Sequence, residues 1–445
     1  MGGFFTGRTL TGIGRDLRAG RESARGLVTR ALESVDKDLN AFVTLDEEGA
    51  EAAARWADEE LASGVDRGPL HGVPVAVKDI IDVAGLPTGM GSGHYAGHVA
   101  EADAACVTML RNAGAVIVGK TGTQEFAFGG SGDVSVNGAV RNPRDRERMS
   151  GGSSSGSAVA VAAGMVPLAI GTDTGGSVRI PSAFCGIAGF KPPHGAIPAG
   201  GVFPLSRSLD HVGVLAATAA DCRVAYHALT GPAEAVPSLL DGESGGGGRA
   251  GSTAYGRVAW IEPPACDPEV ERRVRALFPD APSERIDFAG LRQVFLAIEY
   301  SEAYDVHAER VAEAPGRYQP ATLARLEEAG RMPGWRLVRA LRERDRYAEE
   351  IAGLLDRYDL LAMPTMPIPA PRIGATEVGL GSLTALLVSL TSPWNVLGLP
   401  ALSVPAGTVP VDGGGEMPVG AQLVTRRGAE SLLFEAADHL GLGAR

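Results

Sequence analysis

Two Gly-Gly-Ser units, Gly151-Gly152-Ser153 and Gly175-Gly176-Ser177, lie close together in a stretch otherwise built of small and apolar residues. Upstream, a single Lys78 ends the apolar run Val73-Pro74-Val75-Ala76-Val77. Two hydroxyls and an amine on glycine-lined backbone are the parts of a nucleophilic hydrolase that uses lysine, not histidine, as its base. Each part also has a plainer reading. A lysine at a strand end ordinarily lays its stem along apolar surface and keeps its charge in water. Once buried, it loses its proton more readily, and a neutral amine near pH 7 can act as a general base. Two glycines ahead of Ser177 let backbone N–H groups turn toward a common point beside a hydroxyl, the layout of an oxyanion hole. The same letters fit a turn whose serine caps a helix. Gly151 to Ser157 could likewise be a serine-rich helix start, but it passes abruptly into the apolar Ala158 to Ala163, and hydroxyls entering a core need hydrogen-bond partners. It is the joint occurrence of the three features that points to catalysis.

Two other motifs compete. Gly114 to Thr121 fits the phosphate-loop pattern G-x-x-x-x-G-K-[ST]. A phosphate loop needs free N–H groups between its glycines, whereas Ala115-Val116-Ile117-Val118 reads as a buried strand, so nucleotide binding is set aside. Gly152-Ser153-Ser154-Ser155-Gly156 fits the G-x-S-x-G elbow, but no apolar strand precedes it. The histidines are scattered; His71 and His194, each near a glycine of the site, read as packing residues.

The elements that must hold these groups alternate. Helical spacing over 21–35 and Glu47 to Ala62 is followed by the strand-like Val73 to Val77, a helix over Val107 to Ala113 and a strand over Ala115 to Val118. Ser157 to Ala163 reads as a helix and Val166 to Ile170 as a strand. Later strands are expected at Leu360 to Met363, Leu399 to Val404 and Val419 to Val424, with Phe295 to Leu355 largely helical. This implies an α/β fold with a large mixed, mainly parallel central sheet covered by helices. Gly242 to Gly251 is a glycine-rich loop, and residues 252–358 form a helical excursion from one 445-residue domain with its Gly/Ser-rich core at 150–190.

Composition narrows the function classes. A net charge of −12, with no long basic stretch, argues against nucleic-acid or anionic-membrane partners. The four cysteines, Cys106, Cys185, Cys222 and Cys266, show no metal spacing and read as reduced, mostly buried thiols of a cytoplasmic protein. Met1 to Leu10 does not read as a signal peptide, and the apolar run Ala158 to Ile170 is too short for a bilayer span.

These residues together resemble the amidase signature family. The resemblance runs over nearly the whole chain: Gly72-Val73-Pro74 to Lys78-Asp79, Asn142-Pro143, Gly151 to Ser154, Asp173 to Arg179 and Pro181, and, near the C-terminus, Pro393-Trp394-Asn395 and Gly420 to Gln422-Leu423. It implies that Ser177 is the nucleophile, that Ser153, following a cis peptide bond, relays the proton, and that Lys78 receives it. It implies that the N–H groups of Thr174, Gly175, Gly176 and Ser177 hold the oxyanion. Asp173 and Arg179 then brace the loop, Ser154 adds a hydrogen bond, and Phe128, Gly129 and Gly130 lie on a loop that touches substrate. No cofactor and no metal are expected. The expected partners are a small-molecule amide and, at most, a second copy of the chain in a homodimer.

Three positions depart from the family's usual pattern: Ile80, Ser155 and Ile180. Ile180 stands where the glutaminase subunit of tRNA-dependent amidotransferases usually has glutamine. That subunit is therefore the alternative to an amidohydrolase cleaving a small carboxamide, and a noncatalytic nucleotide-binding protein is a more distant one.

Overall fold

The structure, a computed structural model, describes residues 2–230 and 256–442. The expected glycine-rich loop at 242–251 lies outside the described residues. The strands in chain order are β1 (Phe42–Leu45), β2 (Pro74–Lys78), β3 (Val116–Thr121), β4 (Leu168–Asp173), β5 (Ala188–Lys191), β6 (His211–Ala216) and β7 (Val258–Ile261). They continue as β8 (Ser283–Glu284), β9 (Leu360–Pro364), β10 (Glu377–Val378), β11 (Gly381–Ser382), β12 (Ala401–Val411) and β13 (Gly415–Val424). Eleven of them form one sheet, in the order β1-β3-β2-β4-β6-β5-β12-β13-β9-β7-β8, and β10 and β11 pair separately.

The large mixed sheet flanked by helices is the one the sequence implies. Its parallel pairs fall in two blocks, β3-β2-β4 and β9-β7-β8. Antiparallel pairs join the other neighbours. The parallel blocks are where helices cross between strands, as Ala105–Asn112 does between β2 and β3. In the first block β2, β3 and β4 are buried along their whole length, which explains why they read as continuous apolar runs without alternation. The strand reading of 115–118 holds as β3, so the N–H groups of the phosphate-loop look-alike lie in a strand ladder.

Element ends moved for local reasons. The first helical stretch begins at Ala24, because the Ser23 hydroxyl accepts the Gly26 N–H and caps it. The helical segment expected over 295–355 is three helices, Phe288–Glu313, Pro320–Gly330 and Gly334–Arg357. Pro320 opens the second of them, and Pro333 immediately precedes the third.

The helix after the first Gly-Gly-Ser unit runs Ser155–Ala162 and is buried from Ser155 through Val161. Its start is pressed against the end of β3: the Gly156 N–H donates to Gly122 O at 2.9 Å, and Ser155 Oγ donates to the same carbonyl at 3.2 Å. A Cβ on Gly156 would collide with the backbone of Ala41 and Gly122. Helix propensity alone predicts that Gly156→Ala gains about 1 kcal/mol. The backbone collision outweighs this, and chemical denaturation should show a net loss of about 1–3 kcal/mol.

Candidate active site

Lys78 is the last residue of β2 and is fully buried. Its Nζ donates to Thr172 Oγ1, on the neighbouring β4, at 2.7 Å and lies 2.7 Å from Ser153 Oγ. Burial pushes the Lys78 ammonium down to about 7, against the opposing pull of the Asp173 and Asp210 charges. Ser153 is fully buried, and the Gly152–Ser153 peptide bond is cis. Ser154 Oγ bonds the backbone of Thr172, donating to its carbonyl at 3.0 Å and accepting its N–H at 3.2 Å. Lys78 and Ser154 are thus tied to one β4 residue, Thr172, which the sequence reading did not single out, and Ser153 reaches it through Lys78.

The second Gly-Gly-Ser unit connects β4 to the helix Arg179–Cys185. The Ser154 N–H donates to Ser177 O at 3.1 Å, which sets the two serine loops against each other. Asp173 organises the turn. Its carboxylate accepts the N–H groups of Val178 and Arg179 at 3.1 and 3.4 Å and pairs with the Arg179 guanidinium at 2.7 Å. Thr174, Gly175, Gly176 and Ser177 lie between strand and helix, where neither claims their N–H groups. Gly176 sits at φ +140°, and a Cβ there would meet the Thr391 hydroxyl. Thr391 Oγ1 in turn donates to Gly175 O at 2.5 Å.

Beneath this turn is a fully buried polar network. Arg179 donates to Asn395 Oδ1 at 2.6 Å, Gln422 Oε1 at 2.7 Å and Thr391 O at 2.9 Å. Asn395 Nδ2 returns hydrogen bonds of 2.8 Å to the Asp173 carboxylate and carbonyl. Burial would raise the Asp173 carboxyl, but the Arg179 charge and hydrogen bonds outweigh it and hold that carboxyl well below the usual range. A second acid, Asp210, accepts the Thr174 hydroxyl at 2.6 Å, and burial raises it to about 6.

A cavity of about 990 Å³ opens onto this turn. Ser177, Thr174 and Gly175 lie on its wall together with Phe128, Gly129 and Gly130, so the loop expected to touch substrate does face the same space. Ile180 also lines it. Lys78 and Ser153 are not on the wall but buried behind it. Of the histidines, His211 joins this network, its Nδ1 3.2 Å from Asp173 O, whereas His71 and His194 lie outside the hydrogen bonds of the turn. His71 Nδ1 accepts the Arg67 N–H at 3.0 Å, and His194 Nε2 lies 3.3 Å from Arg207 O. All four cysteines are free thiols, three of them buried. Among the described residues no group of three or more His, Cys, Asp or Glu could hold a metal ion, and no helix is long and apolar enough to cross a membrane.

Removing one partner of the buried Asp173–Arg179 pair leaves the other charge without compensation. Arg179→Met should therefore cost about 3–5 kcal/mol in urea denaturation. Unchanged stability would mean that the network does not brace the turn.

Comparison with known proteins bears on this arrangement. The Amidase family profile matches residues 27–277 and 318–434. A relative from Chromohalobacter salexigens, named for its place in the glutamyl-tRNA(Gln) amidotransferase, is 34% identical over 479 residues, covering 97% of this chain and 95% of its own. A Pseudomonas putida protein named amidase is 37% identical over 422 residues, covering 90% and 89%. A crystal structure of an amidase matches with a TM-score of 0.86 and 33% identity over 98% of this chain and 100% of that one. The chain belongs to the amidase family and is an amide-hydrolysing enzyme.

Proposed function

We propose that this enzyme hydrolyses a small-molecule carboxamide through an acyl-enzyme on Ser177. The observation that carries the reading is the Lys78 amine, fully buried, 2.7 Å from the Ser153 hydroxyl and depressed to about 7. In its neutral form the amine donates to Thr172 Oγ1 and keeps its lone pair for the Ser153 proton. Ser153 takes the proton of Ser177 as the Ser177 oxygen attacks the amide carbon, and Lys78 takes the proton of Ser153. The N–H groups of the turn from Thr174 to Ser177 receive the developing oxyanion. The proton returns to the leaving nitrogen, ammonia or an amine departs, and water repeats the sequence in reverse to release a carboxylic acid.

The alternative reading is a glutaminase-type subunit of a tRNA-dependent amidotransferase, and the name of the Chromohalobacter relative favours it. Against it stands Ile180, an apolar side chain on the cavity wall where that subunit usually carries glutamine. In the amidohydrolase reading the chain works without partner subunits, in the cytoplasm, alone or as a homodimer. Ammonia release by the purified chain from a panel of simple amides, with glutamine included, separates the two; turnover of glutamine alone, and only with added subunits, would select the second.

A fluorophosphonate probe should label Ser177, and Ser177→Ala should abolish the labelling. Lys78→Met should lower kcat/KM by about 10²–10⁴-fold while leaving the protein folded. The folded amine titrates near 7, against an ordinary value of 10.5, so the unfolded chain holds more protons across that interval. Stability drawn from this group therefore rises with pH through that window, and the methionine variant should be at least as stable as the parent at pH 7. The rate should rise with pH and level off above about 7, as the base loses its proton. A rate independent of pH down to about 5 would remove Lys78 from the mechanism.

A further inference from the structure

The helices Phe288–Glu313 and Pro320–Gly330 supply part of the cavity wall, and each contributes one ionisable group with an unanswered atom. Glu299 is only 4% exposed, lines the cavity, and its Oε2 takes part in no hydrogen bond among the described residues. Arg325 also lines the cavity, and its buried Nε has no hydrogen-bond partner among those residues. The two side chains face each other at 3.5 Å, from Arg325 Nη2 to Glu299 Oε2, an ion-pair distance without a hydrogen bond. Arg325 is held in place from the other side. Its Nη1 donates to Phe128 O at 3.0 Å, and its guanidinium stacks 4.0 Å from the Phe128 ring centre. The pair therefore sits beside the Phe128–Gly130 loop that shares the cavity with Ser177.

A buried acceptor and a buried donor left unpaired are costly, and buried polar groups in folded proteins are nearly always answered. Charge restricts what can answer both. An ammonium ion would suit Glu299 but would be placed against the Arg325 guanidinium. A carboxylate would suit Arg325 but would be placed against Glu299, with the Asp210 charge also nearby. A planar neutral group with N–H and C=O side by side meets neither penalty. It donates to Glu299 Oε2 and accepts from the Arg325 guanidinium.

Resting on the amide-hydrolase reading above, we infer that Glu299 and Arg325 form a specificity subsite for a second, uncleaved carboxamide carried by the substrate's acyl chain. The preferred substrates are then diamides, cut at one end only, and the product is the corresponding ω-carbamoyl carboxylic acid.

The test compares linear diamides of increasing chain length with monoamides of equal length ending in methyl, ammonium or carboxylate. One diamide should exceed its methyl-ended partner in kcat/KM by roughly 10- to 100-fold, the size of a hydrogen bond to a charged group. Glu299→Leu and Arg325→Met should erase that ratio, lowering kcat/KM for the diamide far more than for the methyl-ended amide, and Glu299→Gln, which keeps an acceptor oxygen, should preserve much of it. Binding to the Ser177→Ala protein, followed by calorimetry, reads the subsite without any chemistry: the diamide should bind more tightly than the monoamide, and the added Glu299→Leu change should remove the difference. If all four end groups are turned over equally, or the ammonium- or carboxylate-ended amide is preferred, the subsite assignment is wrong while the amide-hydrolase reading stands. If no amide is turned over and Ser177 takes no fluorophosphonate label, that reading fails, and the calorimetric comparison still decides whether the subsite binds a carboxamide.

Discussion

Everything at this site depends on keeping a lysine amine out of water without giving it a carboxylate to pair with. Desolvation alone depresses a buried lysine, but a contacting Asp or Glu would restore its charge. The acid best placed to do so is Asp173, at the end of the strand next to β2, and it is fully engaged elsewhere: Arg179, Asn395 and two backbone N–H groups satisfy its oxygens. Its charge still reaches Lys78 and pulls its pKa upward, but it loses to burial. The groups left in hydrogen-bond contact with the amine are the hydroxyls of Ser153 and Thr172. An ion pair beside the active turn thus has two effects at once. It fixes the backbone of the Ser177 loop, and it removes the counter-ion that would keep the Lys78 amine protonated.

The local parts of this arrangement were legible in the sequence because they are written in short runs. Glycine before serine, twice, and a lysine ending an apolar strand name Ser153, Ser177 and Lys78, and the strand after Ser157 names β4. What could not be read is whatever reaches the site from far along the chain. Asn395 and Gln422 meet Arg179 across separations of 216 and 243 residues. Glu299 and Arg325 belong to amphipathic helices in which a charged residue ordinarily marks the solvated face. Thr172 escaped for a different reason. It sits in a run of glycine and small polar residues where the serines drew attention, and only strand pairing shows that its side chain meets Lys78.

The same limit explains the helices. Charge and a scarcity of β-branched residues over 295–355 gave helix correctly as a type, and the prolines divide that stretch into three helices. Breaking it into three lets the chain fold back, so that Glu299 from one helix and Arg325 from the next stand face to face on the cavity wall. The serine and lysine half of the site is set by strands buried on both faces, where little can shift. The helical part of the cavity wall is set by helix packing and loop breaks, which change more easily without disturbing the sheet.

Three lysines here, Lys78, Lys120 and Lys191, are buried completely, and all three have pKa values lowered by desolvation. Burial is therefore not what distinguishes Lys78 from the other two. Lys120 lies 3.2 Å from the Asp79 carboxylate and donates to Pro87 O and Thr88 Oγ1. Lys191 donates to the carbonyls of Leu399 and Pro192, acceptors that cannot give a proton back. Lys78 alone of the three has a hydroxyl partner that stands next to a second serine loop and behind the wall of a cavity. A buried lysine becomes a proton acceptor when its partners are themselves proton donors that lead to the reacting atoms. Under the proposed reading, Lys78 is the lysine among the described residues that meets that condition, where the end of β2 meets the Gly-Gly-Ser turn.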